Sequence, residues 1–248
     1  MRAIVLAAGR GSRMEEGTEG KPKCMTLLFG RTLIDQCVDN LHKAGFALGD
    51  IGIITGYKKE QINIKGAVYF HNADWENTNM FLSLTMARDW LVKFPCVVVY
   101  SDIIFSPSVI EKLMHAKGDI VITYYTEFWR LWSIRFDNPL SDLETFILEN
   151  GKLAEIGRRP QSKEQIMGQF MGILRFTPTG WGMVEESLKK PLPKPISKLD
   201  MTSLLQHLLN MGCDIEAIPT SDLWLECDNL NDVMLYEQHF NPIRQAKT

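Results

Sequence analysis

The 248-residue sequence lacks a long hydrophobic run. No apolar segment approaches the roughly 18 uninterrupted residues that cross a bilayer, and the apolar start of the chain is shorter than the core of a secretion signal. The sequence therefore predicts a cytoplasmic protein with no membrane partner.

An excess of positive charge is also absent. The chain has 27 Lys and Arg against 30 Asp and Glu, which gives a net charge of -3. Proteins whose main partner is nucleic acid present a basic field to its phosphates. We therefore expect no nucleic-acid partner, although a small anion could bind locally.

Paired metal or disulfide motifs are missing as well. The cysteines are odd in number and scattered, and no two form a Cys-x-x-Cys pair: Cys24, Cys37, Cys96, Cys213 and Cys227. Zinc sites and disulfide frameworks usually need such pairs. We expect neither of them, and most of these cysteines should fill the core.

What the sequence does contain is a regular alternation in its first half. Apolar runs of strand length occupy residues 3–7, 51–55, 97–100 and 120–125, and they suit a parallel sheet covered on both faces. Strands and helices that alternate in this way predict an α/β fold. Between and after these runs, helices are predicted at 33–44 (with Thr32 as N-cap), 81–94 and 106–116.

The second half is less regular, and mixed α/β structure is expected there. The elements predicted in it are strands at 132–136 and 168–176, a helix capped by Asp200 and ended by Gly212, a strand pair around Ile215 and Leu223, and a final helix near 231–239.

The first predicted strand runs into a glycine-rich turn, Gly9-Arg10-Gly11-Ser12-Arg13. Glycines let backbone N–H groups approach phosphate oxygens. The third small residue of the dinucleotide fingerprint is replaced by Met14, and the Gly-Lys-Ser/Thr ending of a Walker motif is missing. The turn alone therefore predicts a phosphate site without fixing its class.

An acid also follows a buried strand at Asp102. A carboxylate at the end of an apolar strand is costly to bury without a partner, and a divalent cation is a natural one. The alternative is that Asp102 caps the helix that begins after Ser106.

Together, the turn and the later Pro22-Lys23 resemble the sugar-phosphate nucleotidyltransferase superfamily. Its members open with a strand, Ala-Ala-Gly-x-Gly-(Ser/Thr)-Arg, a mobile loop and Pro-Lys, and this chain matches each element in order. The resemblance implies a Rossmann-like three-layer, GT-A-like α/β fold with a mixed, mainly parallel central sheet. It also implies one domain over 1–248, with a nucleotide half at about 1–120 and an acceptor half at about 121–248. A plain glycine turn is the alternative, and the loop 15–20 fits a flap or a merely disordered loop.

The resemblance further implies roles for single residues. Lys23 and Arg13 would neutralise nucleotide phosphates as catalytic residues, and Asp102 and Asp228 would bind Mg²⁺. Glu226 shares the strand face of Asp228 by the period of two, so as a metal-site residue it could hold a second metal ion or its water. Asp232 would be a structural helix cap. The residues expected to bind nucleotide are Leu6, Ala7, Ala8, Gly9, Gly11, Ser12, Thr78, Asn79 and Ser101.

The Asn-rich segment 77–84 looks like the branch that contains bacterial phosphocholine cytidylyltransferases. This favours CTP, with cytosine read by Thr78, Asn79 or the backbone beside them; ordinary helix capping is the alternative.

The segment 124–132 concentrates five aromatic residues with one acid and one base. Aromatic faces with a carboxylate suit an ammonium, whereas Arg130 or Arg135 would suit a carboxylate or phosphate. The acceptor residues predicted from this segment are Glu127, Trp129, Arg130 and Trp132, with a core position as the alternative for the aromatics.

The sequence thus predicts a nucleotidyltransferase, a Mg²⁺-dependent enzyme that transfers CMP from CTP to a small phosphorylated or phosphono acceptor. A homodimer is possible. Two rivals remain open: a hexose-1-phosphate nucleotidyltransferase that makes a UDP or dTDP sugar, and a catalytically silent nucleotide-sensing subunit.

Overall fold

A computed structural model of the chain describes residues 1–11 and 20–241. Its strands are β1 (Arg2–Ala7), β2 (Leu27–Leu28), β3 (Arg31–Thr32), β4 (Ile51–Thr55), β5 (Val68–His71), β6 (Cys96–Tyr100), β7 (Ile103–Phe105), β8 (Ile120–Tyr125), β9 (Phe146–Glu149), β10 (Lys152–Ile156), β11 (Gln169–Phe176), β12 (Glu216–Thr220) and β13 (Trp224–Glu226). Its α-helices are α1 (Leu33–Lys43), α2 (Met80–Thr85), α3 (Arg88–Leu91), α4 (Pro107–His115), α5 (Phe128–Arg135), α6 (Pro178–Ser187), α7 (Met201–Asn210) and α8 (Leu230–His239).

Nine strands form one sheet in the order β5-β4-β1-β6-β11-β8-β12-β10-β9. The strands β5, β4, β1 and β6 are mutually parallel and β12 is parallel to β8, whereas β11 and β10 run against their neighbours. The predicted mixed, mainly parallel sheet is therefore confirmed. Outside this sheet, β13 pairs with β7 and β2 pairs with β3.

Both faces of the sheet are covered, which explains the apolar runs in the sequence. Along β1, Ala3 and Val5 join one hydrophobic cluster while Ile4 joins another, because successive side chains of a strand point to opposite faces. Helices α1 and α4 bury their apolar residues in the first cluster, and α6 and α7 bury theirs in the second. This arrangement confirms the predicted three layers.

The helix caps predicted from the sequence are present. The side chain of Thr32 accepts a hydrogen bond from the backbone N–H of Asp35 at the start of α1, and Asp200 accepts one from the N–H of Ser203 at the start of α7. The single helix predicted over 81–94 is wrong: the structure has the two short helices α2 and α3 there, separated at residues 86–87.

The strand predicted at 132–136 is also wrong, because these residues belong to helix α5 and its C-cap. Their aromatic and branched side chains favour a strand locally. However, the buried residues of this segment, Phe128, Leu131, Trp132 and Arg135, follow the three- and four-residue spacing of a helix. Tertiary burial of that face overrides the local preference.

The strand pair predicted around Ile215 and Leu223 does not form. The two segments do become strands, β12 and β13, but β12 lies between β8 and β10 in the large sheet while β13 pairs with β7. Pairing with strands distant in sequence replaces the local hairpin.

All five cysteines are free thiols, and only Cys213 is not buried. Within residues 1–11 and 20–241, the helices are too short or too polar to cross a membrane.

Candidate active site

The site lies at the carboxyl edge of the parallel strands. Strands β1 and β6 are neighbours, with Leu6 in register with Tyr100, so the chain segments that follow them meet at the same edge. A cavity opens there, which we call the strand-end cavity. It is lined by six of the residues predicted to bind nucleotide, Leu6, Ala8, Gly9, Thr78, Asn79 and Ser101, and by Lys23 and Asp102.

Of the other residues predicted to bind nucleotide, Ala7 and Gly11 do not line this cavity. Ala7 is 2% exposed and belongs to the core beneath the turn. Ser12 and Arg13, like most of the predicted flap at 15–20, lie outside the described residues.

Two glycines make the turn compatible with a bound phosphate. Gly11 has φ of +74°, and a Cβ there would lie 2.8 Å from the Cβ of Lys23. This close approach helps to place the lysine backbone beside the turn. At Gly9, no described atom other than those of the glycine and its two chain neighbours lies within 4 Å of where a Cβ would be, so the backbone is open to the cavity.

Lys23 bridges two carboxylates. Its Nζ donates to Asp102 Oδ2 at 2.5 Å and to Asp228 Oδ1 at 2.9 Å. Burial alone would lower the pKa of the ammonium, but the two carboxylates outweigh it and raise the pKa of Lys23 above its ordinary value. The lysine is therefore fully charged at neutral pH.

Pairing of β13 with β7 brings Asp228 to this position. The backbone N–H of Cys227 donates to the carbonyl of Asp102 at 2.9 Å, just beyond the point where Glu226 is in register with Ile103. The two acids that the sequence separates by more than a hundred residues thus face one another across Lys23.

Asp102 and Asp228 also suit a hard divalent cation. Two carboxylates fit Mg²⁺, which usually takes one or two protein carboxylates and completes its shell with water and substrate phosphates. Glu226 is not grouped with them, since within the described part of the chain no three His, Cys, Asp or Glu side chains are arranged to hold a metal. Its Oε2 instead lies 3.4 Å from Arg135 Nη1. Burial, followed by the charge of Asp228, raises the pKa of the Glu226 carboxyl.

Arg135 lies beside the site, and its position there was not predicted from the sequence. Its side chain is fully buried, and it donates to both oxygens of Asp232 and lies 3.4 Å from Asp228 Oδ2. The strand wrongly predicted at 132–136 gave no indication that the Arg135 side chain points towards Asp232. Asp232 fulfils its predicted capping role, in a capping box with Asn229, and also neutralises this arginine.

Thr78 and Asn79, predicted to read cytosine, already have protein partners. The Thr78 hydroxyl donates to the carbonyl of Asp74 and accepts from Asn72, while Asn79 Oδ1 accepts from the N–H of Met80 at the start of α2. Helix capping, the alternative for this segment, is therefore present. Neighbouring cavity residues that the sequence did not single out are Trp75, Met80, Ser83 and Tyr100.

A second cavity adjoins the first through Met80 and Tyr100. We call it the acidic cavity, because five carboxylates line it and none of its described lining residues is a lysine or arginine. These carboxylates belong to Asp142, Glu144, Asp200, Glu226 and Asp228. Trp132, Tyr100 and Phe170 contribute aromatic surface.

Among the predicted acceptor residues, only Trp132 lines the acidic cavity. It is 1% exposed, stacks on Trp224 with ring centroids 5.8 Å apart and donates from Nε1 to Asp142 at 3.0 Å, so it is mainly a core residue. Most of the Trp132 side chain therefore belongs to the hydrophobic core, which is the alternative stated for the aromatic residues of this segment.

Glu127, Trp129 and Arg130 line neither cavity. Glu127 and Arg130 are exposed, and the ring of Trp129 lies under the ammonium of Lys163 at 4.2 Å. These residues follow β8, and β11 lies between β8 and β6 in the sheet, so the end of β8 does not adjoin Asp102. The structure therefore does not bring these three side chains to either of the two cavities.

Comparison with known proteins places this geometry in a family. The model of the MobA-like NTP transferase domain matches residues 3–161. The CTP:phosphoglutamine cytidylyltransferase of Campylobacter jejuni is 30% identical over 94% of this chain and 98% of its own length. The CMP-5'-(3-aminopropyl)phosphonate synthase of Streptomyces rubellomurinus is 32% identical over 47% of this chain, which is 19% of that longer protein.

Solved structures agree on the fold. A crystal structure of a putative glucose-1-phosphate thymidylyltransferase from Bacillus anthracis superposes with a TM-score of 0.76 at 19% identity, covering 98% of this chain and 96% of that one. The glycine-rich turn, the strand-end acid and the family match agree with one another. The chain belongs to the MobA-like NTP transferase domain family and is a nucleotidyltransferase.

Proposed function

We propose that this enzyme transfers CMP from CTP to a small phosphorylated or phosphonate acceptor that carries an ammonium group, with release of pyrophosphate. The observation that carries the proposal is the position of Lys23, Asp102 and Asp228, which stand where the strand-end cavity meets the acidic cavity. Nucleotide and acceptor placed in the two cavities would react beside these three charges.

The reaction joins two anions, so charge neutralisation and alignment are its main requirements. In this proposal the triphosphate lies against the open backbone at Gly9, and Lys23 leaves its carboxylates to neutralise the α-phosphate. Arg13 assists at the β and γ phosphates. The attacking phosphate oxygen is already ionised at neutral pH, so the site needs no general base.

Mg²⁺ held by Asp102 and Asp228 would supply further positive charge to the phosphates. When Lys23 binds the nucleotide, Asp102 Oδ2 and Asp228 Oδ1 still face the position that the Lys23 ammonium occupied. Two carboxylate oxygens that face one position suit a hard cation.

The acceptor class is inferred from the acidic cavity. Glu144 is close enough to Asp200 for that charge, after burial, to raise the pKa of its carboxyl. Asp200 is paired with Lys194 at 2.7 Å, so Glu144 is the carboxylate of the two that would bind an ammonium group, which the aromatic rings of the cavity also favour. A neutral hexose would instead need many hydroxyl partners. The two relatives described above are named for phosphoglutamine and for an aminopropyl phosphonate, which agrees with a small nitrogen-containing acceptor.

The two rivals are less well supported. The hexose-1-phosphate alternative shares the fold with the B. anthracis protein, but a likeness at 19% identity supports the fold alone. A silent sensing subunit has no need of the charged trio, which is complete here as Lys23, Asp102 and Asp228.

Replacing Glu144 with glutamine is expected to raise the KM for the acceptor by about 10-fold to 100-fold, the scale of one lost hydrogen bond to a charged group. The KM for CTP should stay unchanged, because Glu144 does not line the strand-end cavity. Steady-state kinetics with each substrate varied in turn measures both values. Asp214→Asn, which removes an exposed acid paired with Lys152, is the matched control and should change neither KM. An unchanged acceptor KM in Glu144→Gln would exclude this cavity as the ammonium site.

The nucleotide is tested by pyrophosphate release from CTP, UTP, dTTP and ATP, each with phosphocholine, phosphoethanolamine and glucose 1-phosphate. We expect the fastest release with CTP and an amine-bearing acceptor. Equal or faster release with UTP or dTTP and glucose 1-phosphate would favour the sugar-nucleotide rival. No release with any pair, while CTP still binds, would favour the sensing subunit.

A further inference from the structure

Helix α5 places the buried guanidinium of Arg135 beside Asp228, one of the three charged residues of the site. Arg135 is the last residue of α5, its side chain has no exposed surface, and its guanidinium lies over the rings of Trp132 and Phe136 at 4.8 and 5.1 Å. A planar guanidinium held between aromatic rings and acids has little freedom to rotate.

Asp228 is held from two sides. Its Oδ1 accepts from Lys23, whereas its Oδ2 lies 3.4 Å from Arg135 Nη2. Its backbone N–H donates to Asp232 Oδ2 at 2.9 Å, and that same carboxylate binds Arg135 through Nε and Nη2. The arginine and Asp232 thus fix both the main chain and the side chain of Asp228.

We propose that Arg135 is a positioning residue that holds one oxygen of Asp228, so that the other faces the cation at the reaction centre. The inference rests on the proposed function, since it gives Asp228 a role in binding that cation. Arg135 also lies 3.4 Å from Glu226 Oε2, but its proposed effect on the cation is exerted through Asp228.

Arg135→Lys is the first variant, because it keeps the buried charge and loses the planar fork. We expect it to weaken the binding of Mn²⁺, measured by electron paramagnetic resonance with CTP present and acceptor absent, by about tenfold or more; supporting partners of metal ligands commonly have effects of this size. The matched control is Arg175→Lys. Arg175 is also buried, but it donates to the backbone carbonyls of Met114 and Gly118, and its replacement should leave the Mn²⁺ affinity unchanged.

A second variant guards against misfolding. Arg135→Met combined with Asp232→Asn removes the guanidinium together with the carboxylate that it binds most closely, so only the longer contacts of Arg135 with Glu226 and Asp228 are lost without compensation. It should weaken Mn²⁺ binding to a similar extent. An Mn²⁺ affinity equal to that of the parent enzyme in the folded double variant would overturn the inference.

A double-mutant cycle separates positioning from general structural damage. In the Asp228→Asn background, Arg135→Lys should have no further effect on Mn²⁺ affinity, and an additive effect would contradict action through Asp228. The proposed function fails separately: if Asp228→Asn alone leaves Mn²⁺ binding intact, then Asp228 is not a cation ligand. If Asp228→Asn weakens binding and Arg135→Lys does not, only the role of Arg135 is wrong.

Discussion

Lys23→Ala is expected to lower kcat by about 10² or more, the usual scale for the loss of one preorganised charge contact. The reason is that Lys23 is the described cation that stands between Asp102 and Asp228 and lines the strand-end cavity. The measurement is the steady-state rate of pyrophosphate release at saturating CTP, Mg²⁺ and acceptor. Circular dichroism should confirm that the variant is folded.

Lys21 provides the matched control for this substitution. It lies two residues earlier in the chain, its side chain is exposed and it does not line the strand-end cavity. Lys21→Ala should therefore change kcat by less than about threefold. A larger loss of kcat from Lys21→Ala than from Lys23→Ala would show that Lys21, and not Lys23, neutralises the phosphate.

Asp102→Asn is expected to reduce Mg²⁺-dependent turnover to near the background rate while leaving the fold intact. Asparagine keeps the shape of the side chain and its backbone contact with Cys227, but it removes the negative charge that pairs with Lys23 and suits a metal. Turnover is measured over a range of Mg²⁺ concentrations, and the thermal unfolding midpoint is compared with that of the parent enzyme.

Excess Mg²⁺ should not restore the Asp102 variant, because the ligand itself is missing. The exposed Asp214→Asn variant is again the control and should retain the parental rate. A rate within about tenfold of the parent for Asp102→Asn would exclude Asp102 from the proposed metal site. The strand-end acid would then be structural.

Several elements of the first half of the fold could be predicted because their signals are local, although the single helix predicted over 81–94 is wrong. The apolar runs, the Thr32 cap and the turn at Gly9 lie within short segments, and two adjacent parallel strands necessarily bring their carboxyl ends to the same edge. The position of Lys23 beside Asp102 follows from this edge together with the family resemblance.

The acceptor side could not be predicted in the same way, because it depends on strand order. Insertion of β11 between β6 and β8 moves Trp129 away from Asp102, and long-range pairing of β13 with β7 brings Asp228 in. Glu144 and Asp200 approach one another only in the folded chain. No pattern of residue spacing in the sequence predicts these contacts.

Arg135 illustrates the same limit on a smaller scale. Its neighbours have strand-like side chains, and only burial of one helical face turns its guanidinium towards Asp232. A helical reading of the spacing from Phe128 to Arg135 would have placed the arginine on the buried face.

The proposed activity is tested most directly by identifying the product with mass spectrometry. The enzyme is incubated with CTP, Mg²⁺ and an equimolar mixture of phosphocholine, phosphoethanolamine, a phosphorylated amino acid, an aminoalkyl phosphonate and glucose 1-phosphate. We expect a cytidylyl conjugate of an amine-bearing acceptor, in an amount equal to that of the pyrophosphate released. A sugar nucleotide as the main product, or pyrophosphate release without any conjugate, would contradict the proposed activity.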